Sequence, residues 1–453
     1  MFTYYKIKTS INHIEVFNFL YNFNYTEIIP MINEKFLHYV WQFKRFNFLN
    51  LKTTDGESLE IINTGIYNNN QGPDFKCAQI KINDLLWNGN VEIHLKSSDW
   101  NKHKHEGDDF YKSIVLHVVY EHDQQISSLK NQSVSTLELK SYIDKVLIDN
   151  YVKLIQQNYT FIPCEKFCNS DLLSKLSFSY ESLYLDKLQS KCEQIYNLYK
   201  SKKNNWEAVL ASILAYTMGL KINAESFEEI FNSIDFKIIQ KNSYNSLLLE
   251  SLFFGLTHQL SDYSDEYPRN LKKEFDFLRV KFNITDIKIL LNFFRLRPGN
   301  FPTIRLSQLA SLLTQYQNLF SYVVGAKNIQ QYYVLLDEVQ ASSYWNNHFT
   351  FDKISTLHSV KKLTSSQKEL IIMNCFLPVK FAYSKSIGQS MDEEIISLIS
   401  ELKAEKNSII DNFEKLGLNF KNALETQAIL YLYKEKCSKV KCLECSIGYH
   451  LLQ

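Results

Sequence analysis

Long apolar runs, arginine, glycine, proline and net charge are all scarce in this 453-residue chain. No apolar stretch reaches the roughly 18 residues that a membrane-spanning helix needs, so no membrane partner is expected. The formal net charge is +1. The whole molecule therefore lacks the cationic field of a nucleic-acid coat protein, and any contact with nucleic acid has to be local. Residues 1–25 lack the basic start, apolar stretch and small-residue cleavage site of a secretory signal, and the expected location is the cytoplasm. The 8 Cys are unevenly spaced, which suits a reducing compartment where a thiol cluster binds metal rather than forming disulfides. Only 6 residues are Arg against 44 Lys. The few guanidinium groups merit attention because lysine cannot replace them where a planar anion is gripped at two points.

What is present describes a folded protein. Apolar residues make up 45 % and charged residues 22 %, and the length predicts two or three domains. Period-two patterning runs from Ser58 to about Tyr120, at 59–62, 77–82, 91–96 and 114–120, and predicts four strands. The last of these is nearly all apolar, as expected of a central strand buried on both faces. Before them Asn33 is placed to cap a helix carrying Phe36, Leu37, Val40, Trp41 and Phe43. Residues 68–73 read as a loop. After about Phe161, segments such as 172–199, 206–220, 246–260, 306–324 and 423–436 carry apolar residues at helical spacing. The expected organisation is an extension over 1–30, an α/β domain over 31–160 and a helical domain over 161–453. The fold class is α+β, with an N-terminal mixed sheet flanked by helices followed by a mostly α-helical part.

The densest chemistry lies in Gly72-Pro73-Asp74-Phe75 and Asn90-Val91-Glu92-Ile93-His94-Leu95-Lys96. Strand alternation sets Glu92, His94 and Lys96 on one face, with Asp74 at the mouth of the preceding strand. Two carboxylates converging at neighbouring strand ends can hold Mg²⁺ or Mn²⁺, while an imidazole or amine positions the attacking water for phosphodiester cleavage. Residues 26–123 hold 10 Lys and Arg against 14 Asp and Glu, with 6 of the 11 His, a balance that suits a cation site better than a basic groove. The 100–109 stretch adds His103, His105, Asp108 and Asp109 as further candidate ligands. Each of these could equally be an ordinary solvated or helix-capping side chain.

This constellation resembles the core of the PD-(D/E)XK nuclease superfamily over residues 31–125. Pro73-Asp74 and Glu92 match its motif, and His94 stands where the usual lysine would, with Lys96 one step further along the same face. The resemblance implies a restriction-endonuclease-like sheet and a role for Glu34 as an acid on the first helix. A broader set of motifs, including Phe36-Leu37-His38-Tyr39-Val40-Trp41, Trp87-Asn88-Gly89-Asn90, Ser97-Ser98-Asp99-Trp100 and Arg297-Pro298-Gly299-Asn300-Phe301-Pro302-Thr303, resembles the bacterial family known as domain of unknown function 2851. That resemblance implies membership from residue 31 onward and no activity. It also makes Met31 an alternative start.

Arg295, Arg297 and Arg305 flank the 298–302 break and could hold a phosphate or carboxylate, or else clamp helix ends together. Cys437, Cys442 and Cys445 form C-x4-C-x2-C, with His450 following. Three thiolates and this imidazole suit zinc, whereas an iron-sulfur cluster would recruit Cys164 or Cys168; reduced thiols packing a terminal helix are the structural alternative. Some members of the nuclease superfamily carry cysteine-bound clusters beside the core. The expected function is a divalent-metal-dependent nuclease, with Asp74 and Glu92 as ligands and His94 or Lys96 orienting water, acting on nucleic acid. The alternative is a non-catalytic binding or scaffold protein that keeps a nuclease-like fold. Hydrolysis of a small phosphate or glycosidic substrate by the same carboxylates is weaker, because nothing in the sequence specifies a sugar or nucleotide pocket.

Overall fold

The computed structural model describes residues 32–68, 71–103, 111–131, 133–156, 158–285 and 289–452. The 1–30 extension, Met31, Asn69 and Asn70 of the loop, and Lys104, His105, Glu106, Gly107, Asp108 and Asp109 lie outside the described residues. Helix α1 (Glu34–Gln42) starts where its cap predicts: Asn33 is extended, and its side-chain oxygen accepts from the Phe36 N–H at 3.0 Å. Phe36, Leu37, Val40 and Trp41 are fully buried, each contributing about 1.5–3 kcal/mol of apolar burial. The Trp41 indole N–H finds the Thr64 carbonyl at 3.0 Å, so its burial leaves no orphaned donor.

A seven-stranded mixed sheet follows. Its strands are β1 (Leu51–Lys52), β2 (Ser58–Asn63), β3 (Ile66–Tyr67), β4 (Phe75–Ile82), β5 (Leu85–Lys96), β6 (Ile114–Glu121) and β7 (Ser135–Glu138). The order is β1-β2-β4-β5-β6-β7, with β3 beside β4. Pairings up to β5 are antiparallel, and β5-β6 and β6-β7 are parallel. Parallel neighbours need crossovers, supplied by α2 (Asp99–Lys102) and α3 (Ser127–Asn131). Strand β6, between β5 and β7, is buried along nearly its whole length, as its apolar run predicts. Helix α4 (Lys145–Gln156) adds Leu147, Ile148, Tyr151 and Leu154 to the interior, and Tyr151 stacks on Phe36 at 4.4 Å between ring centroids.

The chain divides into two compact units, one of Met1–Leu176 with Lys434–Gln453 and the other of Ser177–Tyr433. This differs from a division into 31–160 and 161–453. The short helices after Phe161 still belong to the first unit, and the last residues return to its core. Leu443, Tyr449 and Leu452 join the same core as Phe36 and Trp41, and Arg45 donates to the Leu452 carbonyl at 2.9 Å.

The second unit is mostly helical, with helices such as Tyr180–Ser201, Trp206–Met218, Ser246–Leu256, Glu266–Phe282, Pro302–Gln315 and Leu377–Ser386, and a small hairpin at His348–Thr350 and Lys353–Ile354. Asparagine supplies punctuation that glycine and proline do not. Asn169, Asn205, Asn245, Asn328 and Asn407 each cap a helix by accepting a backbone N–H. Asn50, Asn83, Asn204 and Asn283 take the left-handed conformation that glycine usually occupies. Among the described residues, no helix is long and apolar enough to cross a membrane.

Candidate metal centre

The register of the β4-β5 pair builds the site. Phe75 lies opposite Val91, which sets residue 74 beside residue 92. The Asp74 backbone N–H donates to Glu92 Oε2 at 3.1 Å, and the Ile93 N–H donates to Asp74 Oδ2 at 2.9 Å. Each carboxylate is thus positioned by the other residue's strand. Alternation along β5 sends Val91 and Ile93 into the apolar core and Glu92 and His94 to the opposite face. The structure places the pair at the centre of the sheet, because β5 has β4 on one side and β6 on the other.

Imidazoles surround the acids. His94 Nε2 is 3.7 Å from Glu92 Oε1, and His38 Nε2 is 3.2 Å from Asp74 Oδ2. The two nitrogens of His94 also meet His117 Nε2 at 2.9 Å and His103 Nδ1 at 3.1 Å. His38 is held from its other side by the Tyr67 hydroxyl at 3.3 Å. Glu34, in the first turn of α1, completes the group: ligand atoms of Glu34, His94 and His103 all lie within 4.8 Å of one another. Glu92 is 5 % exposed and His94 1 %. Burial, then the nearby charges of Asp74 and Glu34, pushes the Glu92 carboxyl up to about 9. Burial likewise raises Glu34. Three carboxylates of one sign in a poorly solvated place favour binding of a cation that neutralises them.

Lys96 takes another course. Its ammonium lies 3.9 Å from Glu121, whose other oxygen meets Lys140 at 2.7 Å, and its backbone N–H donates to Asp99. The sequence did not single out His38 or His117. His38 sits four residues after Glu34, one helical turn along the same face. His117 is the one polar residue within the 114–119 run of β6, and an imidazole inside such a strand was the available signal.

The remaining candidates fall elsewhere. Arg305 is 2 % exposed and spends its guanidinium on Asn300 Oδ1 at 2.6 Å and Gln308 Oε1 at 3.0 Å. Burial lowers it to about 10. Arg295 and Arg297 are exposed, and Arg295 lies over the Phe294 ring. Cys437, Cys442 and Cys445 converge on one small cavity that Cys164 also lines. His450 is not part of that lining, and its Nδ1 is 3.4 Å from Lys175 Nζ.

The family model described as "Protein of unknown function (DUF2851)" matches residues 34–408. The chain belongs to this family. The DUF2851 match begins at Glu34 and takes in Asp74, Glu92, His94 and the helical unit as far as Ser408, leaving the cysteine turn beyond it. No curated protein and no solved structure matches the chain.

Proposed function

We propose that Asp74, Glu92 and the imidazoles beside them bind a divalent metal ion and that the protein is a metal-dependent phosphodiesterase acting on nucleic acid. The observation that carries this reading is the interlock of Asp74 and Glu92 across β4 and β5, with His94, Glu34 and His103 gathered at the same place. The topology supports it too: a helix carrying an acid, antiparallel strands bearing Asp74 and Glu92, a short helix, then the parallel strand β6. That order is the one a restriction-endonuclease-like core would have. In this mechanism Asp74 and Glu92 would hold the ion, which would supply activation of water and neutralisation of charge on the phosphate, and His94 would accept the water's proton. Mixed oxygen and nitrogen donors favour Mn²⁺ over Mg²⁺, which prefers oxygen alone. Lys96, tied to Glu121, is left out of the chemistry.

A second reading is favoured by His94 itself, which is buried and engaged by His103 and His117 where a nuclease would hold out a lysine. It makes the protein a metal-binding scaffold without turnover. The test incubates the full chain with labelled single- and double-stranded DNA and RNA in Mn²⁺, in Mg²⁺ and in EDTA. Cleavage in Mn²⁺ that is lost in Asp74→Asn supports the nuclease. Mn²⁺ binding without cleavage of any of these substrates overturns it in favour of the scaffold.

A further inference from the structure

Where lysine serves as the cation almost everywhere, the positions that keep arginine are informative. Arg45 and Arg269 donate to the backbone carbonyls of Leu452 and Asp265, and Arg305 is buried against Asn300 and Gln308. Arg295 and Arg297 are different. Both are exposed, and neither guanidinium meets an acid among the described residues. The charge around them is one-sided, because residues 289–336 and 353–368 contain no Asp or Glu. Among the lysines of these two stretches, Lys327, Lys362 and Lys368 are taken by Glu394, Glu338 and Asp337. Arg295, Arg297, Lys353 and Lys361 form no ion pair among the described residues.

Aromatic rings lie among these cations. Phe293 meets Phe301 edge-on at 5.3 Å between centroids, and Phe301 meets Phe349 at 6.3 Å. The Lys361 ammonium stands 4.4 Å over the Phe349 ring, and the Arg295 guanidinium 5.1 Å over Phe294, which is 71 % exposed. The loop that carries them is fastened at both ends. Asn223, in the helix Leu220–Ser233, exchanges hydrogen bonds of 2.9 and 2.8 Å with the Asn292 backbone, and Asn292 Oδ1 accepts the Phe294 N–H at 2.8 Å. At the other end Asn300 Oδ1 accepts from Arg305 at 2.6 Å and from Gln367 at 3.3 Å. Between these anchors Arg295 takes φ +62, a left-handed conformation unusual for such a residue. A Cβ added to Gly299 would meet nothing within 4 Å, so the turn stands clear of its own unit.

We propose that this surface of the helical unit binds single-stranded nucleic acid. Guanidinium groups grip phosphate oxygens at two points and lie flat on bases, and exposed phenyl rings stack on bases that are not paired. A duplex would offer the same cations its phosphates but keep its base faces hidden. With a net charge of only +1 on the whole chain, attraction has to come from a local patch, and an acid-free stretch with unpaired cations supplies one. The anchors at Asn292 and Asn300 hold the loop in place before a strand arrives, which lowers the entropy lost on binding. The inference goes beyond the hydrolytic reading and does not depend on it.

The test measures fluorescence anisotropy of short labelled DNA and RNA strands with the full chain in EDTA, where no metal-dependent cleavage occurs, over a series of salt concentrations. Three or four neutralised phosphates predict a log–log salt slope of about −2 to −3. The double variant Arg295→Asn, Arg297→Ala keeps a residue tolerant of the left-handed conformation at 295. It should lower affinity at least about 10-fold and flatten the slope by about 1.4. Phe294→Ala should lose about 5- to 100-fold with the slope unchanged, and Arg269→Ala should change neither. Absence of strand binding by the wild-type chain at low salt overturns the proposal. So does unchanged affinity in the double variant with its thermal melt intact, equal affinity for duplex, or equal binding to phosphatidylserine vesicles. Strand binding in EDTA without cleavage in Mn²⁺ keeps this inference and removes the nuclease; cleavage in Mn²⁺ with unchanged strand affinity in the double variant does the reverse.

Discussion

Each unit buries a polar cluster around a glutamate, and the two are built on opposite principles. In the helical unit Glu250, 2 % exposed, accepts from the hydroxyls of Ser307 and Tyr267, while Ser307 in turn receives the Ser342 N–H at 2.9 Å. One acid there is met by neutral donors on separate elements, so the carboxyl ties those elements together. In the sheet unit Glu92 shares its place with Asp74 and Glu34 and with imidazoles that both accept and donate. Hydroxyl groups complete a structure, whereas crowded carboxylates and imidazoles invite an ion. Burial of a glutamate therefore says little until its neighbours are named.

The largest effect expected from this contrast is on metal. Asp74→Asn and Glu92→Gln should weaken Mn²⁺ binding by calorimetry at least 100-fold, and Glu250→Gln should leave it unchanged; equal affinities in all three would erase the distinction. His117→Ala, which removes the neighbour of His94 rather than a carboxylate, should cost roughly 10- to 100-fold in the same titration.

Next comes pH. Burial raises the Glu250 carboxyl to about 7 against a usual value of 4.5. A raised acid binds its proton more tightly when folded, so its contribution is fully present below pH 4.5 and is lost as pH climbs towards 7. Thermal melts should show the helical unit weakening over that window by up to roughly 3 kcal/mol, and Glu250→Gln should flatten this slope. An unchanged slope would mean that other groups, such as Glu207, also raised to about 7 by burial, carry it. The smallest effect belongs to Lys96→Ala. Removing a half-exposed partner of Glu121 should change stability by less than about 1 kcal/mol and Mn²⁺ affinity by less than about threefold; a large loss would return Lys96 to the chemistry.

How far the sequence carried depends on the range of each interaction. The Asn33 cap, the strand alternation and the shared face of Glu92 and His94 are local, and residue order alone exposed them. The Asp74–Glu92 meeting was legible because one hairpin register determines it. For Arg305 the sequence offered both anion binding and a clamp at the helix end, and its actual partners Asn300 and Gln308 are common polar residues with no motif to mark them. The arrival of His38 beside Asp74, and of Leu452 in the core of α1, depends on contacts between distant segments, which local patterning does not encode.

The interruption of the sheet unit by Ser177–Tyr433 also has a consequence for synthesis. A ribosome that has completed β7 and α4 must still make the entire insertion before Tyr449 and Leu452 exist to cover α1. At about 5–20 residues per second that interval is on the order of tens of seconds. Throughout it the nascent sheet unit waits with part of its apolar surface uncovered and Cys164 without the three later cysteines. Completion of the sheet unit therefore waits on a segment made only after the insertion, and a chaperone holding the open sheet would act in that interval.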